Sequence, residues 1–561
     1  MRRIRSIGMA ATAALLLSWT AQAQTPKLSE SRIQELIQQA AARVASQGAT
    51  QPPSTGLPAD TRQTVGLTLD DAVKLALDRN LNIAVQKLNP AIQDVSVSRI
   101  YSVYYPSLTS QLATQSTTTP ANTTLAGSAQ PGAAVEAGLS TYNLGVAQSV
   151  PWGGGNFQVA INNNKSTTTS LNTLYNPTYN ANWSGVYTQP LARNFGTDIT
   201  RQQIQVTKIS RDMSDVQLRS TITNTVSNVR EAYWNYVYAI QAVGVAQQSV
   251  DLADQLVKDN QTRVDVGTMA PIDVVTAQSQ AAAARQNLVV AVGTMRSNEL
   301  VLKQLIVGGT DDPNWNMHLD AIDRPDFAPQ PIDVEAAVRR ALSERTDLIL
   351  AQMVGQENDV TLKYLKDQLK MQADFVGTYG LVGLGGTQLI KPTGSGVNSN
   401  QIIGTVPGGF GDALSTLFHT NYPRWTAQIN LSYPLGTSFQ EASVARARIQ
   451  VNQVQAQVKQ IQLQVATDVT NAAVNVQSNA ERVQAAIAAR ELAQKTMEAE
   501  QSKFEVGMST SYNVVLTQRD LATAQINELQ AILNYRIALV ELERLQQTTL
   551  QTANITVLSA Q

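Results

Sequence analysis

The sequence predicts a mixed α and β fold built as an internal structural repeat, in which long helical hairpins alternate with blocks of strands. Three observations carry this expectation. The stretch "RVDVGTMAPIDVVTAQ" beginning at Arg263 returns 240 residues later as "KFEVGMSTSYNVVLTQ" beginning at Lys503, with Val266/Val506, Gly267/Gly507, Val274/Val514, Val275/Val515 and Gln278/Gln518 identical. Apolar residues recur at helical spacing along the very long runs that lead into both turns. The segments between the helical runs lose almost all charge and alternate apolar with polar side chains, the mark of strands with two different environments.

In chain order, Arg2, Arg3 and Arg5, an apolar run from Ile7 to Trp19 and Ala21-Gln22-Ala23 read as a cleavable secretory signal over 1–23. Its removal takes away three arginines and no acid, moving the net charge from -1 to -4. No basic, aromatic-lined surface emerges, so nucleic acid is excluded as a partner. The chain has no cysteine, which rules out disulfides and a cysteine-linked lipid anchor. No apolar run after the signal is long enough for a helix to cross a bilayer, so a membrane span by the mature chain requires strands. An amphipathic helix is expected over 27–47, followed by a loop with Pro52, Pro53, Gly56 and Pro58.

Two related halves follow. "LTLDDAVKLALDRNLNI" matches "PIDVEAAVRRALSERTDLI", with Ala72-Val73 and Ala337-Val338 265 residues apart, so the first half holds a net 25 extra residues between this landmark and its glycine turn. Each half reads as a helix (about 70–104, then 333–371), a strand-bearing stretch, a very long helix (197–264, then 437–504), the turn, and another helix (271–306, then 511–547). At about 1.5 Å per residue each long helix covers roughly 100 Å, and the two shorter helices of a half sum to the same length, so they fit end to end beside it. The second long helix places Val454, Val458, Ile461, Val465, Val469, Ala472, Val476, Ala480, Val483 and Ile487 on one stripe. This is an eleven-residue period that predicts nearly straight helices or a slight right-handed supercoil. Ile222, Val226, Val229, Tyr233, Val237 and Ile240 do the same in the first. The expected organisation is a signal peptide at 1–23, an N-terminal helix and linker at 24–66, a first repeat at 67–307, an inter-repeat segment at 308–332, a second repeat at 333–547 and a tail at 548–561.

Between 105 and 192 the only charges are Glu136 and Lys165, and alternation is clear over Leu144 to Val150, Phe157 to Ile161 and Tyr179 to Tyr187. In the second half it is clearest from Trp425 to Tyr433. Tyr179, Trp183, Tyr187, Trp425 and Tyr433 fit the interfacial aromatics of a transmembrane β-barrel; an exposed soluble sheet is the plainer alternative. "LGVAQSVPWGGGNFQVAIN" breaks at Pro151–Gly155 and either adds strands or folds as a loop. The glycine-rich stretch 381–420 reads as a long extracellular surface loop. Two strands per half cannot close a barrel alone, and an open edge in lipid costs several kcal/mol for each unpaired backbone group, so closure requires other chains.

"LTLDDAVKLAL" opening the first half, "TQPLARNFGTD" and "LSYPLGTSF" linking strands to long helices, and the twin "VGT" and "VGM" turns together make the chain resemble the outer membrane efflux protein family, the TolC-like outer membrane channels, from about Leu67 to Leu545. The resemblance implies a homotrimer in which each protomer gives four strands to one shared 12-stranded barrel in outer membrane lipid and long helices to a periplasmic α-barrel. It implies a passive exit duct of a tripartite efflux or type I secretion system, met at its tips by a periplasmic adaptor (membrane fusion) protein and driven by an inner membrane pump of RND, ABC or similar type. By the same resemblance Val266, Gly267, Thr268, Val506, Gly507 and Met508 are the adaptor-docking tips. The gate candidates are Asp273, Tyr512, Asn513 and Leu516: Asn513 and Leu516 stand where some members carry acidic rings, and Asp273 is a candidate to bond Tyr512 or Asn513 of a neighbouring hairpin. Thr510 keeps the family's hydroxyl cap while Ala270 does not. A periplasmic structural or adaptor-like coiled coil without a membrane barrel is the alternative from another class.

No enzyme, cofactor or metal is expected. His318 and His419 lie in separate loops, and Asp311, Asp312 and Asp320 beside His318 have the spacing of turns and caps rather than of a metal site. Gly383–Gly386 has the composition of a phosphate loop, but no lysine or helix start follows, so it is expected to be a loop.

Overall fold

The computed structural model describes residues 63–555 apart from 124–125, 129, 131, 325–326, 330, 393–401, 437 and 554. The expected signal and the 27–47 helix lie outside them. A short strand β1 (Thr64–Leu67) leads into α1 (Leu69–Arg79) and α2 (Leu81–Tyr101), followed by strands β2 (Ser107–Pro120), β3 (Ala134–Ser149), β4 (Asn156–Thr168) and β5 (Tyr175–Pro190). The first helical hairpin is α3 (Ile199–Asp265) and α4 (Pro271–Ile306). After the one-turn helix α5 (Pro313–Asn316) and β6 (His318–Ala321), which pairs in parallel with β1, the plan repeats. It runs through α6 (Val334–Glu344), α7 (Thr346–Gln368), β7 (Gln372–Ile390), β8 (Gly404–Val406), α8 (Phe410–Phe418), β9 (Pro423–Ser432), α9 (Phe439–Glu505), α10 (Ser511–Leu545) and α11 (Thr549–Thr552).

The helices expected over 70–104 and 333–371 are each broken in two, at Asn80 and Arg345, positions separated by the same 265-residue offset as the repeat. Both residues leave the helical region at ψ near 120° (122° and 125°). Asn80 turns the break into a cap, its side chain accepting from the N–H groups of Asn82 (2.9 Å) and Ile83 (3.2 Å). The short helices α1 and α6 thereby fold back onto the long ones and bury repeat-related alanines, Ala72 and Ala76 in one half, Ala337 and Ala341 in the other.

Both long helices run the full length of their half, and the shorter helices stack beside them. Towards the sheet the packing order is α2, α3, α7, α9; towards the hairpin turns it is α4, α3, α10, α9. The eleven-residue stripe of α9 is the buried one, with Val465, Val469, Ala472, Val476 and Val483 in the core, Ile461, Ala480 and Ile487 half-buried against it, and Val454 and Val458 half-buried beyond it. Ile222, Val226, Val229, Tyr233 and Val237 of α3 build the equivalent core of the first half.

The strands form one seven-stranded antiparallel sheet, in the order β2-β3-β4-β5-β7, with β9 pairing the near part of β7 and the three-residue β8 its far end. Of the two alternatives open at Pro151–Gly155, the added strands are the ones formed: the segment is the turn of a hairpin, the Val150 N–H donates to the Gly155 carbonyl at 2.7 Å and β3 and β4 pair on from Ser149↔Asn156, so the first half contributes four strands to the sheet. The loop expected over 381–420 is corrected. Residues 381–390 are strand rather than loop, and 410–418 are helix. Gly383 and Gly385 are where α8 lies directly on β7; a Cβ at Gly383 would sit 2.0 Å from the Ala413 carbonyl oxygen.

Candidate functional site

The two hairpin turns are built alike. Helix α3 ends at Asp265; Val266 closes it, Gly267 follows at φ +77°, its N–H donates to the Val264 carbonyl (2.9 Å), and the Thr268 N–H reaches the Arg263 carbonyl (2.8 Å). In the second turn Gly507 stands at φ +79°, with its N–H on Phe504 (3.1 Å) and the Met508 N–H on Lys503 (2.8 Å). This pair of crossed bonds is the Schellman motif, and it requires a left-handed residue that glycine adopts without steric cost. Val266, Val506 and Met508 are left projecting into solvent, as is Thr268. Nothing lies within 4 Å of a Cβ built on either glycine.

The helices that follow start differently. Thr510 caps α10 by accepting from the Asn513 N–H, whereas α4 starts at Ala270 with no side-chain cap and Pro271 in the first position, Asp273 being the acid in its first turn. Within the chain no hydrogen bond joins the Asp273 side chain to Tyr512 or Asn513; Asn513 donates to Ser509 (3.4 Å), Tyr512 is exposed and Leu516 lies one turn further along α10. What does join the tips is the end of α3. Asn260 is wholly buried and donates to the Ser511 hydroxyl (2.7 Å) and the Asp273 carbonyl (3.4 Å), and the Arg263 guanidinium lies over the Phe504 ring at 4.3 Å. Leu256, Phe504 and Val514 make a small core beneath them. Glu500, at the repeat position of Asn260, accepts from the Ser509 hydroxyl and from Lys503; these bonds hold its carboxyl below the usual range.

The sheet has two chemically distinct faces. One row of the register runs Leu144, Ile161, Trp183, Leu381, and the neighbouring rows on that face add Val146, Val159, Tyr142, Ala181, Tyr379 and Trp425. The opposite face carries Gln111, Asn143, Asn162 and Asn182 in a single row, bound side to side as Asn143 to Gln111 (3.2 Å) and, one row pair away, Asn180 to Asn164 (2.8 Å). Of the expected aromatics, Tyr179, Trp183 and Tyr187 share the apolar face of β5. Trp425 sits at the start of β9 opposite Tyr379, and Tyr433 lies one residue past its end. Trp183 meets Tyr379 edge-on at 6.0 Å and Lys165 lies over Tyr179 at 5.9 Å. Helix α8 covers this face near its far end, seating Ala413 and Leu417 on Ala181 and Leu381.

The family model of the outer membrane efflux protein matches residues 72–308 and 397–546, more than half of the chain. The chain is an outer membrane efflux protein. No curated protein sequence matches it, but solved structures do along most of their length. The Campylobacter jejuni CmeC outer membrane channel is 11% identical with a TM-score of 0.59, covering 91% of this chain and 98% of that one. The open state of the Neisseria gonorrhoeae MtrE outer membrane channel is 14% identical at 0.56, covering 89% and 95%. The Vibrio cholerae outer membrane protein VceC is 12% identical at 0.58, covering 85% and 95%. The likeness is one of fold. The family is one of efflux channels, not of enzymes, and the reading of a periplasmic coiled coil without a membrane sheet is set aside. No described helix of this efflux protein is long and apolar enough to cross a membrane.

One buried cluster escaped the sequence. Glu299 and Lys303 of α4 are both buried, 2.8 Å apart, and Lys303 also donates to the carbonyls of Trp315 (3.2 Å) and Met317. Glu299 accepts from the Leu319 N–H (3.2 Å) and contacts His318 Nδ1 (3.3 Å). Burial pushes the Glu299 carboxyl up, but the bond and charge of Lys303, with the Leu319 N–H and His318, together outweigh it and hold the group below the usual carboxylate range. Asp312 accepts from the Asn314 N–H and pairs with Arg79 at 2.8 Å, so it serves as cap and tie between α5 and α1. The signal for the buried pair was an i,i+4 Glu–Lys, which on its own is indistinguishable from a solvated pair.

Proposed function

We propose that three copies of this outer membrane efflux protein close into a passive exit duct, with the sheet in the outer membrane and the helices in the periplasm. The observation that carries this is the state of the sheet's edges. β2 and β9 each pair on one side only and are exposed along their whole length, on a sheet whose apolar face suits lipid and whose amide-lined face suits a water-filled lumen. Unpaired edges of this length are intolerable in hydrocarbon. The helices support the same assembly. Leu81, Val85, Leu88, Ile92 and Val95 make an exposed stripe on α2, on one flank of the packing order, and Ile449, Leu463, Val474 and Leu492 are exposed on α9, on the other. Covering the α2 stripe alone contributes roughly 5–10 kcal/mol per seam.

The tips at Val266, Gly267, Thr268, Val506, Gly507 and Met508 are the docking points for a periplasmic adaptor, which links the duct to an inner membrane pump that supplies the energy. They are exposed, rigidly capped and equivalent between the two hairpins, so one adaptor element can be met twice per copy. The gate is assigned to Asp273, Tyr512, Asn513 and Leu516 at the first turns of α4 and α10, with Asp273 bonding across to the hairpin of the next copy. Cysteines placed at 268 and 508 are expected to crosslink to the adaptor in cells. Gly267→Val with Gly507→Val is expected to abolish export while leaving the trimer intact; unimpaired export by the double variant rules out docking at the tips.

A further inference from the structure

The sheet carries more wall than a twelve-stranded barrel accepts. β2, β3, β4, β5, β7 and β9 are 14, 16, 13, 16, 19 and 10 residues long, and each has the roughly 9–11 residues that a membrane strand needs. We propose that all six stand in the wall, that β2 of one copy pairs with β9 of the next, and that the closed barrel of three copies has eighteen strands. This rests on the trimeric reading above and specifies its seam and its width.

Three features support it. The additional pair β3 and β4 has the same two-faced chemistry as its neighbours, with Tyr142, Leu144, Val146, Phe157, Val159 and Ile161 continuing the apolar face that Trp183 and Tyr379 occupy. A hairpin folded into the lumen or onto the cell surface has no use for a lipid-type face in register with the wall. Pairing is also unbroken: 14 residue pairs join β2 to β3 from Ser107↔Ala147 to Pro120↔Ala134, and β3–β4 and β4–β5 continue without a register shift. Strand polarity closes correctly as well. β2 runs away from the helices and β9 runs back towards them, so an even number of antiparallel strands puts β9 beside β2 of the next copy in antiparallel orientation, completing both ladders. Because barrel diameter grows roughly linearly with strand number, the wall is about 1.5 times as broad as one of twelve strands at equal tilt. The outer end of the duct is then its wide end, and the passage is restricted at the helix tips rather than in the membrane.

The direct test is electron cryomicroscopy of the unmodified protein in lipid nanodiscs, counting strands around the ring. Eighteen is expected. A trimeric ring of twelve overturns the inference and leaves the duct intact, whereas monomers without a ring overturn the trimeric reading itself. A second measurement uses the absence of native cysteine. Cysteines at 109, 111 or 113 of β2 combined in turn with 426, 428 or 430 of β9, all on the polar face, are expected to give covalent trimers under mild oxidation in at least one combination. Linkage of 158, 160 or 162 of β4 to those β9 positions instead places β2 and β3 outside the wall and refutes the proposal.

Discussion

Replacing Lys303 by methionine should loosen the junction between α4 and the segment that carries α5 and β6. Lys303 is completely buried; its ammonium neutralises Glu299 and satisfies two backbone carbonyls, of Trp315 and Met317. Methionine fills the space but leaves the Glu299 carboxylate buried without its ammonium partner. Removing one member of a buried pair costs about 3–5 kcal/mol, and the carbonyls of Trp315 and Met317 lose their shared donor in the same substitution. At about 1.4 kcal/mol per tenfold, amide exchange over 299–321 should accelerate by a factor on the order of 10²–10³ or more, read by hydrogen–deuterium exchange mass spectrometry of the detergent-solubilised protein. The pH dependence has a sign. In the native protein the Glu299 pKa is depressed, so its stabilisation is present above the unfolded value of about 4.3 and is lost as pH falls through the folded value. In Lys303→Met the carboxyl is buried without its ammonium and its pKa moves up, so the penalty shrinks as pH falls from neutrality towards about 4.3. Protection should therefore fall in the native chain and recover in the variant over the acid limb. Parallel pH profiles, or exchange unchanged by the substitution, would refute the view of this pair as a buried clasp.

Other expectations follow from particular contacts. Ala270→Ser gives α4 the hydroxyl cap that Thr510 gives α10, and should protect amides 272–274 by about 0.5–2 kcal/mol; Thr510→Ala should cost α10 a similar amount, both read by amide exchange. Ile161→Arg, on the apolar face, should reduce the yield of assembled protein in lipid by a penalty of about 2–4 kcal/mol near the midplane, while Asn162→Arg on the opposite face should assemble normally, as judged by resistance of the oligomer to SDS. Gly383→Leu drives a side chain into the Ala413 carbonyl and should lift α8 off the sheet, so that limited proteolysis of intact cells cuts within 410–418; persistent protection there contradicts the packing.

Features set by near neighbours in the chain were legible. The eleven-residue stripe of α9 marks the buried face because a helix exposes its period directly, and Gly267 and Gly507 announce the turns because a Schellman cap is complete within six residues. Features set by distant partners were not. The breaks at Asn80 and Arg345 look like ordinary helical positions until α1 and α6 have a long helix to fold against. Gly383 and Gly385 lowered the strand signal of β7, although they are there because a helix some thirty residues later lies on them. That helix had its own marks, an Asp412 carboxylate accepting from the Gly409 N–H at 2.7 Å and apolar residues at 413, 414 and 417, which the surrounding glycines obscured. For the additional residues of the first half the alternating pattern at Leu144–Val150 and Phe157–Ile161 was visible, but a strand's partner is not, so added strands and a loop could not be told apart.

The central claim is that a sheet with two bare edges and two opposed faces is completed only by further copies of itself. It is tested most directly by the native mass of the protein extracted in mild detergent, measured by light scattering with the detergent contribution subtracted, followed by insertion into a planar lipid bilayer. The account predicts a protein mass of three chains and discrete channel conductance. A monodisperse single chain that remains in aqueous solution without detergent and leaves the bilayer non-conducting would contradict it.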